Sequence, residues 1–409
     1  MTDHMIKQHP PLWPDALLAA SGIAIAPLVA LGFGRFAYGL VLPEMRADLG
    51  WSYATAGFAT TVNGVGYLLG ALAAAQVTAR FGVKRTMFMA WAVIAVAMGA
   101  TGFTRITGAV IAARGVVGLA SGLAYVAGAS LAAHLASQMR IRPGLSLGLL
   151  QAGVGAGIAL SGILVFASLS SQHVGWQPMW IVLGVSSIAA LVCAMWMLRA
   201  VREARRPGPG RTAPAIASLG AIIPALIGYF LFGLGYIAYM TFIVALLRLA
   251  RADNTTVTVF WVVLGLSAFA GSIAWGLVLD RFRGGRGPAA VLGATFVGAA
   301  LPVLSSSTVV AMISGVIFGS SFLATASAVM VVARRILPSH TWTLAIGVLT
   351  VAFGIGQSIG PSLAGIMSDG PGGIRSGLAL SSAFLLAGTI VLALQRERAA
   401  VEPDMARLQ

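Results

Sequence analysis

The sequence predicts an all-α membrane protein of twelve transmembrane helices in two pseudo-symmetric six-helix bundles. Three observations predict it. First, the 409 residues are 58% hydrophobic and only 9% charged, with a mean hydropathy of +0.92, and a soluble surface needs more charge than that. Second, the apolar residues fall into about twelve runs near the roughly 20 residues that a spanning helix needs. Third, the chain repeats itself. Gly32-Phe33-Gly34-Arg35-Phe36-Ala37-Tyr38 returns as Gly233-Leu234-Gly235-Tyr236-Ile237-Ala238-Tyr239. Arg80-Phe81 returns as Arg281-Phe282, Arg114-Gly115 as Ser314-Gly315, and Gly148-Leu149-Leu150 as Gly347-Val348-Leu349, all at an offset of 199 to 201 residues.

Taken in order, residues 1–14 read as a polar tail without a cleavable signal pattern, so the first helix itself is expected to direct insertion. Apolar runs near 16–42, 55–78, 86–103, 107–132, 144–168 and 177–198 build a first bundle over 15–198. The composition then breaks once: Arg199 to Pro214 reads RAVREARRPGPGRTAP, which predicts a linker over 199–215. Runs near 218–246, 257–279, 288–304, 308–333, 342–367 and 374–394 build the second bundle over 216–395, and 396–409 form a second tail. The 51 glycines suit close helix packing, because lipid supplies no hydrophobic drive for helices to associate.

The net charge of +15 is a topology signal. With an even number of spans and both ends on one side, that side collects nearly all the Lys and Arg, and the other keeps only Arg46, Arg105, Arg248, Arg251 and Arg375. Such asymmetry predicts cytoplasmic termini in a bacterial inner membrane, with basic loops drawn to anionic headgroups and not to nucleic acid. Cys193 is the only cysteine, so no intrachain disulfide is possible. There is no metal-ligand cluster, no Walker loop and no nucleophile with a base. A pump driven by ATP and an intramembrane enzyme are thereby disfavoured, and no cofactor is expected.

The repeat and helix count resemble the major facilitator superfamily over about residues 16–394. Its loop motif, Gly-x-x-x-Asp-Arg-x-Gly-Arg-Arg between helices 2 and 3, is repeated more weakly between 8 and 9; here the strengths are reversed. The second copy carries Gly276 through Asp280-Arg281; the first, Ala75 to Arg85, keeps Arg80, Gly82 and the basic cluster but has Ala75 and Ala79 where the family has glycine and aspartate. The resemblance implies a gating role for Asp280, Arg281, Arg80 and Gly82, and a first-half latch weakened by Ala79. Arg114-x-x-x-Gly118 resembles the family's helix-4 motif, and the glycine-rich helix 5 its helix-5 pattern. Within the superfamily, Gly32 to Trp51 looks like the bacterial YbfB/YjiJ group.

The resemblance further implies that helices 1, 4, 7 and 10 line a central cavity. Arg35 stands in helix 1, with Tyr38 three residues on; Tyr236 and Tyr239 are their repeat counterparts in helix 7. A guanidinium stays charged and holds carboxylate or phosphate bidentately, so these four residues predict a cationic pocket with hydroxyls and aromatic walls. Arg114 is a second cation or gate, and Asn63, Gln151 and Gln357 are further candidate donors. The competing reading has an arginine capping the carbonyls of a broken helix, and the glutamines and asparagine bonding neighbouring helices. Trp261, Phe318, Phe322 and Phe353 read as wall or packing. All the acids are expected outside the spans, leaving the buried arginines without acidic partners, and a buried cation tends to recruit an anion. The prediction is a monomeric secondary transporter of a small organic anion, a carboxylate, working by alternating access. Proton or counter-anion coupling would run through the solute or through Glu44 and Asp48 at the outer mouth. The alternative is an exporter of hydrophobic or cationic compounds.

Overall fold

The computed structural model describes residues 13–138, 143–170, 175–199, 201, 216–338 and 341–396. Most of both tails and of the linker lie outside these residues. The described chain holds twelve helices of membrane length: α1 (Leu18–Leu49), α2 (Tyr53–Phe81), α3 (Val83–Thr101), α4 (Thr107–Leu135), α5 (Leu150–Ser168), α6 (Gln177–Met197), α7 (Leu219–Leu249), α8 (Asn254–Val278), α9 (Arg286–Leu304), α10 (Thr308–Ile336), α11 (Leu344–Ser368) and α12 (Gly373–Ala393). Ends are set by local chemistry. Ser52 caps α2 by accepting from Thr55 N at 3.1 Å, and Asp253 caps α8 by accepting from Thr256 N at 2.8 Å, each satisfying an orphan first-turn donor. Gly82 joins α2 to α3 at φ +88°, a conformation that side chains resist.

One element departs from the sequence reading. The first run was expected to stop near residue 42, yet α1 continues through Pro43 to Leu49. Pro43 costs one backbone hydrogen bond, while Met45, beyond the expected end, is fully buried. Glu44 and Asp48, expected outside the spans, therefore ride on the last turns of α1.

α1 and α7 are buried over 89% of their apolar windows, against 33–67% for the other ten helices, which makes this pair the centre of the molecule. The starts of α1 and α7 share one face with the ends of α6 and α12: Gly22 abuts Leu198, and Ala225 N donates to Gln395 Oε1 at 3.1 Å. We call this the terminal face and its opposite the far face.

The halves meet along backbone-to-backbone seams. A Cβ added at Gly39 of α1 would lie 2.1 Å from Met240 O of α7, one at Gly365 of α11 2.4 Å from Tyr53 O of α2, and one at Gly265 of α8 2.3 Å from Ala159 N of α5. Polar ties reinforce them, with Trp261 Nε1 donating to Ser161 Oγ at 3.0 Å and the hydroxyls of Thr61 and Ser362 2.8 Å apart. The far face is also tied ionically. The Asp369 carboxylate, after α11, accepts from Tyr53 N at 2.8 Å and Ala54 N at 2.9 Å in the first turn of α2. Glu44 on α1 lies 3.9 Å from Arg248 on α7.

Candidate functional site

The middle of α1 widens into a π-helical stretch, Leu28–Phe36. Such a stretch disturbs the regular ladder of backbone bonds, and its carbonyls need partners from elsewhere. α4 supplies them. Arg114 Nη1 donates to Gly34 O at 2.7 Å and Nη2 to Arg35 O at 3.4 Å; Ser121 Oγ donates to Ala30 O at 2.8 Å. The Arg114 guanidinium also lies over the Tyr38 ring at 4.6 Å and the Trp180 ring at 5.6 Å, and Asn63 Nδ2 donates to Arg114 O at 2.9 Å. Arg114 thus braces α1 from behind.

With its backbone held this way, Arg35 faces a cavity of about 260 Å³ between the halves. The side chain is 4% exposed. Its Nε and Nη2 are buried without a hydrogen-bond partner among the described residues, and its guanidinium lies 5.2 Å from the centre of the Tyr67 ring. Tyr236, Gln151 and Gln357 share the wall. Tyr236 hydroxyl donates to Gln357 Oε1 at 3.0 Å, which leaves the buried Gln357 Nε2 unpartnered. Tyr125 hydroxyl donates to Gln151 Oε1 at 2.7 Å, and Gln151 Nε2 reaches Leu323 O in the other half at 3.4 Å. No Asp or Glu lines the cavity among the described residues. The buried side-chain atoms left without partners on this wall are all donors, so the cavity suits an acceptor, above all an anion.

The rest of the wall is aromatic. Tyr229, Phe232, Tyr236 and Phe353 form a cluster of near-parallel rings: Tyr229 and Phe353 centroids are 4.7 Å apart at 14°, Phe232 and Tyr236 4.6 Å apart at 19°. Phe322 extends it, 6.1 Å from Tyr236 at 20°. The cavity runs from Arg35 to Arg334, exposed in the last turn of α10, and so reaches the terminal face.

The structure brings Arg35, Tyr236, Gln151 and Gln357 together on the cavity and leaves Tyr38, Arg114, Tyr239 and Asn63 off its wall. Tyr38 was expected on the face of Arg35. The wide π-helical turn ends between them, so the ordinary helical spacing fails, and Tyr38 hydroxyl donates to Ala56 O at 2.9 Å. Tyr239 sits a turn further toward the far face, its hydroxyl 2.6 Å from Ser314 Oγ and its ring 3.9 Å from Phe318. Trp261 and Phe318 pack away from the cavity, whereas Phe322 and Phe353 line it. Tyr229 and Phe232 were not singled out beforehand; their spacing of three and seven residues from Tyr229 to Tyr236 is the signal that could have found them.

The repeat is visible in these contacts. Arg35 and its counterpart Tyr236 both face the cavity, and Tyr38 and Tyr239 both turn away. Gly34 O, taken by Arg114, has its counterpart in Gly235 O, taken by Ser381 Oγ. Arg80, Gly82 and Arg281 stand at the terminal-face ends of α2, α3 and α8; the Asp280 side chain lies outside the described residues.

Comparison with known proteins fits this geometry. The family described as "Uncharacterised MFS-type transporter YbfB" matches residues 27–393. The chain is 30% identical over 202 residues to the tetracenomycin C resistance and export protein of Streptomyces glaucescens, covering 48% of this chain and 35% of that protein. It is 25% identical over 253 residues to monocarboxylate transporter 13 of Bos taurus, covering 58% of each. The chain thus spans about a third and less than two thirds of these two relatives. Among solved structures, the fold is similar to a D-xylose-proton symporter (TM-score 0.73, 14% identity, 93% of this chain and 97% of that one) and to the nucleoside transporter NupG (TM-score 0.71, 12% identity, 92% and 99%). With a match over nearly all of the twelve helices, the chain belongs to the YbfB-type family of the major facilitator superfamily, a family described as MFS-type transporters, and is a multi-pass membrane protein.

Proposed function

We propose that this transporter carries a small organic anion, a carboxylate, with its charge held by Arg35. One observation carries the reading: a buried guanidinium with two unpartnered nitrogens faces a cavity whose described lining contains no acid. A cation left unpaired in a low-dielectric interior is costly, and a carboxylate ligand relieves that cost. Gln357 Nε2 adds a second donor, Tyr236 and Gln151 position the wall, and Arg114 acts through the backbone of α1. The likeness to a monocarboxylate transporter is in keeping with this reading.

The transporter works by alternating access, as a monomer in a bacterial inner membrane. The basic loops around Arg80, Lys84, Arg281 and Arg334 make the terminal face cytoplasmic. The cavity then opens to the cytoplasm, with Asp369 and the Glu44–Arg248 pair closing the outside. Arg80, Gly82, Asp280 and Arg281 serve the opposite gate, where Ala79 replaces an acid.

Thermal-shift screening of the purified protein tests the anion. Carboxylates, sulfonates, phosphates, neutral solutes and cationic dyes are compared on the parent and on Arg35→Gln, since ligand binding raises apparent stability by mass action. Stabilisation by carboxylates that disappears in Arg35→Gln is the expected result. Stabilisation only by dyes, unchanged in the variant, sinks the anion and favours the second reading, an exporter of hydrophobic or cationic compounds. The likeness to a resistance and export protein supports that second reading; the acid-free wall opposes its cationic form.

A further inference from the structure

The chemistry of the cavity narrows the solute beyond its charge. Two features of the wall adjoin. Arg35 offers buried Nε and Nη2, and Gln357 offers buried Nε2, all without partners among the described residues. Gln357 is bonded to Tyr236, and Tyr236 belongs to the cluster of rings. Within that cluster Phe232 and Phe353 centroids are 5.6 Å apart at 18°, and Tyr229 and Phe232 6.0 Å apart at 6°. Phe36, the neighbour of Arg35 in sequence, meets Phe322 edge-on at 5.9 Å and 85°. Donors for one carboxylate therefore stand at the border of a wall of rings in a common orientation.

A wall meant for alkyl groups has no need of parallel rings. Rings prefer to meet rings in offset-stacked or edge-on contact, and such pairs add to plain apolar burial. The cavity of about 260 Å³ is below the roughly 300–1,000 Å³ of pockets for drug-sized ligands, which suits one ring. Charge sets the other limit. Among the lining residues only Arg35 and Arg334 are cationic, and Arg334 is exposed at the mouth, so the deep end accepts a single carboxylate.

We infer that the solute is a single-ring aromatic monocarboxylate, its carboxylate on Arg35 and Gln357 Nε2 and its ring stacked against Phe232 and Phe353. The inference rests on the anion reading above, and its test separates the two. The full chain in nanodiscs is titrated calorimetrically with benzoate, cyclohexanecarboxylate and benzamide, in the parent and in Phe353→Leu and Arg35→Gln. Benzoate is expected to bind about three- to tenfold more tightly than cyclohexanecarboxylate, the range that one stacked pair supplies. Phe353→Leu removes that preference and keeps carboxylate binding; Arg35→Gln removes binding of both acids. Should Phe353→Leu fail to fold, Phe232→Leu makes the same test. Equal binding of the two acids by the parent, or an unchanged preference in Phe353→Leu, overturns the aromatic assignment and leaves the anion reading standing. So does absence of benzoate binding at millimolar concentration while another carboxylate binds through Arg35. Benzamide binding as tightly as benzoate, indifferent to Arg35→Gln, overturns both.

Discussion

Arg35 and Arg114 are both arginines buried in the middle of a membrane protein, and their surroundings give them opposite work. Arg114 gives both terminal nitrogens to Gly34 O and Arg35 O and its planar face to Tyr38, leaving only Nε without a partner among the described residues. Arg35 keeps two nitrogens free. Replacing Arg114 strips the carbonyls of a π-helical turn of their partners, at about 1–3 kcal/mol for each group left unsatisfied. Arg114→Met is therefore expected to lower the melting temperature clearly, with whatever ligand response survives still requiring Arg35. Arg35→Gln is expected to leave the unliganded melting temperature level or raised, because it removes an unpaired buried charge, and to abolish the ligand-induced shift. Melting curves with and without a carboxylate decide both. The sequence made these two arginines visible but not their division of labour. That division depends on the π-helical stretch of α1, which no periodicity in Gly32-Phe33-Gly34 announces.

At the scale of the element, helix ends do the ionic work. Asp369 sits on two first-turn amides of α2, where a carboxylate meets the positive end of the helix dipole; exposed, such contacts contribute about 0.3–1 kcal/mol. Asp369→Asn is expected to shift the balance between the two gates by up to about fivefold toward an open far face, read as spin-label distances between the far-face ends of α2 and α11. Asp253, the α8 cap, is held below the ordinary carboxylate range by its bonds to Thr256. Its contribution is full above the unfolded value of about 3.9 and is lost as the pH falls through the lower folded one. Asp253→Ala should flatten the acid limb of a stability–pH profile. Helix positions were legible in the sequence because membrane length is a coarse signal, and the caps Ser52 and Asp253 follow ordinary rules. Asp369 was not legible as a tie, since nothing local to it points to a helix that begins more than 300 residues earlier. The extension of α1 was hidden by Pro43, whose cost is outweighed only by burial that the fold supplies.

Across the whole molecule, the halves touch through backbone at Gly39, Gly265 and Gly365. Gly39→Val would place side-chain atoms where Met240 O lies, 2.1 Å from the Cβ position. It is expected to hold the far face open and to stop transport while the protein remains folded; modification of cysteines introduced at the far face reads the opening. The twofold repeat was the strongest whole-chain signal, and the contacts carry it down to single carbonyls, Gly34 O and Gly235 O. Its breaks were informative as well: Arg35 against Tyr236 is where the cavity becomes asymmetric. With no acid on the described cavity wall, any pH dependence of transport is expected to follow the pKa of the solute across a series of acids, and not one fixed protein value. Uptake profiles in proteoliposomes test this.

The unpartnered guanidinium of Arg35 also bears on kinetics. A carrier that closes around a carboxylate moves a neutralised pair, whereas one that closes unloaded must enclose a bare positive charge. On the anion reading, the loaded and unloaded limbs of the cycle are expected to face different barriers, with the unloaded return the slow one. It is also the limb on which membrane voltage acts, at about 2.3 kcal/mol per charge per 100 mV for a full crossing. Preloaded vesicles should then release labelled solute faster when unlabelled solute waits outside, and a change of membrane potential should alter net efflux far more than one-for-one exchange.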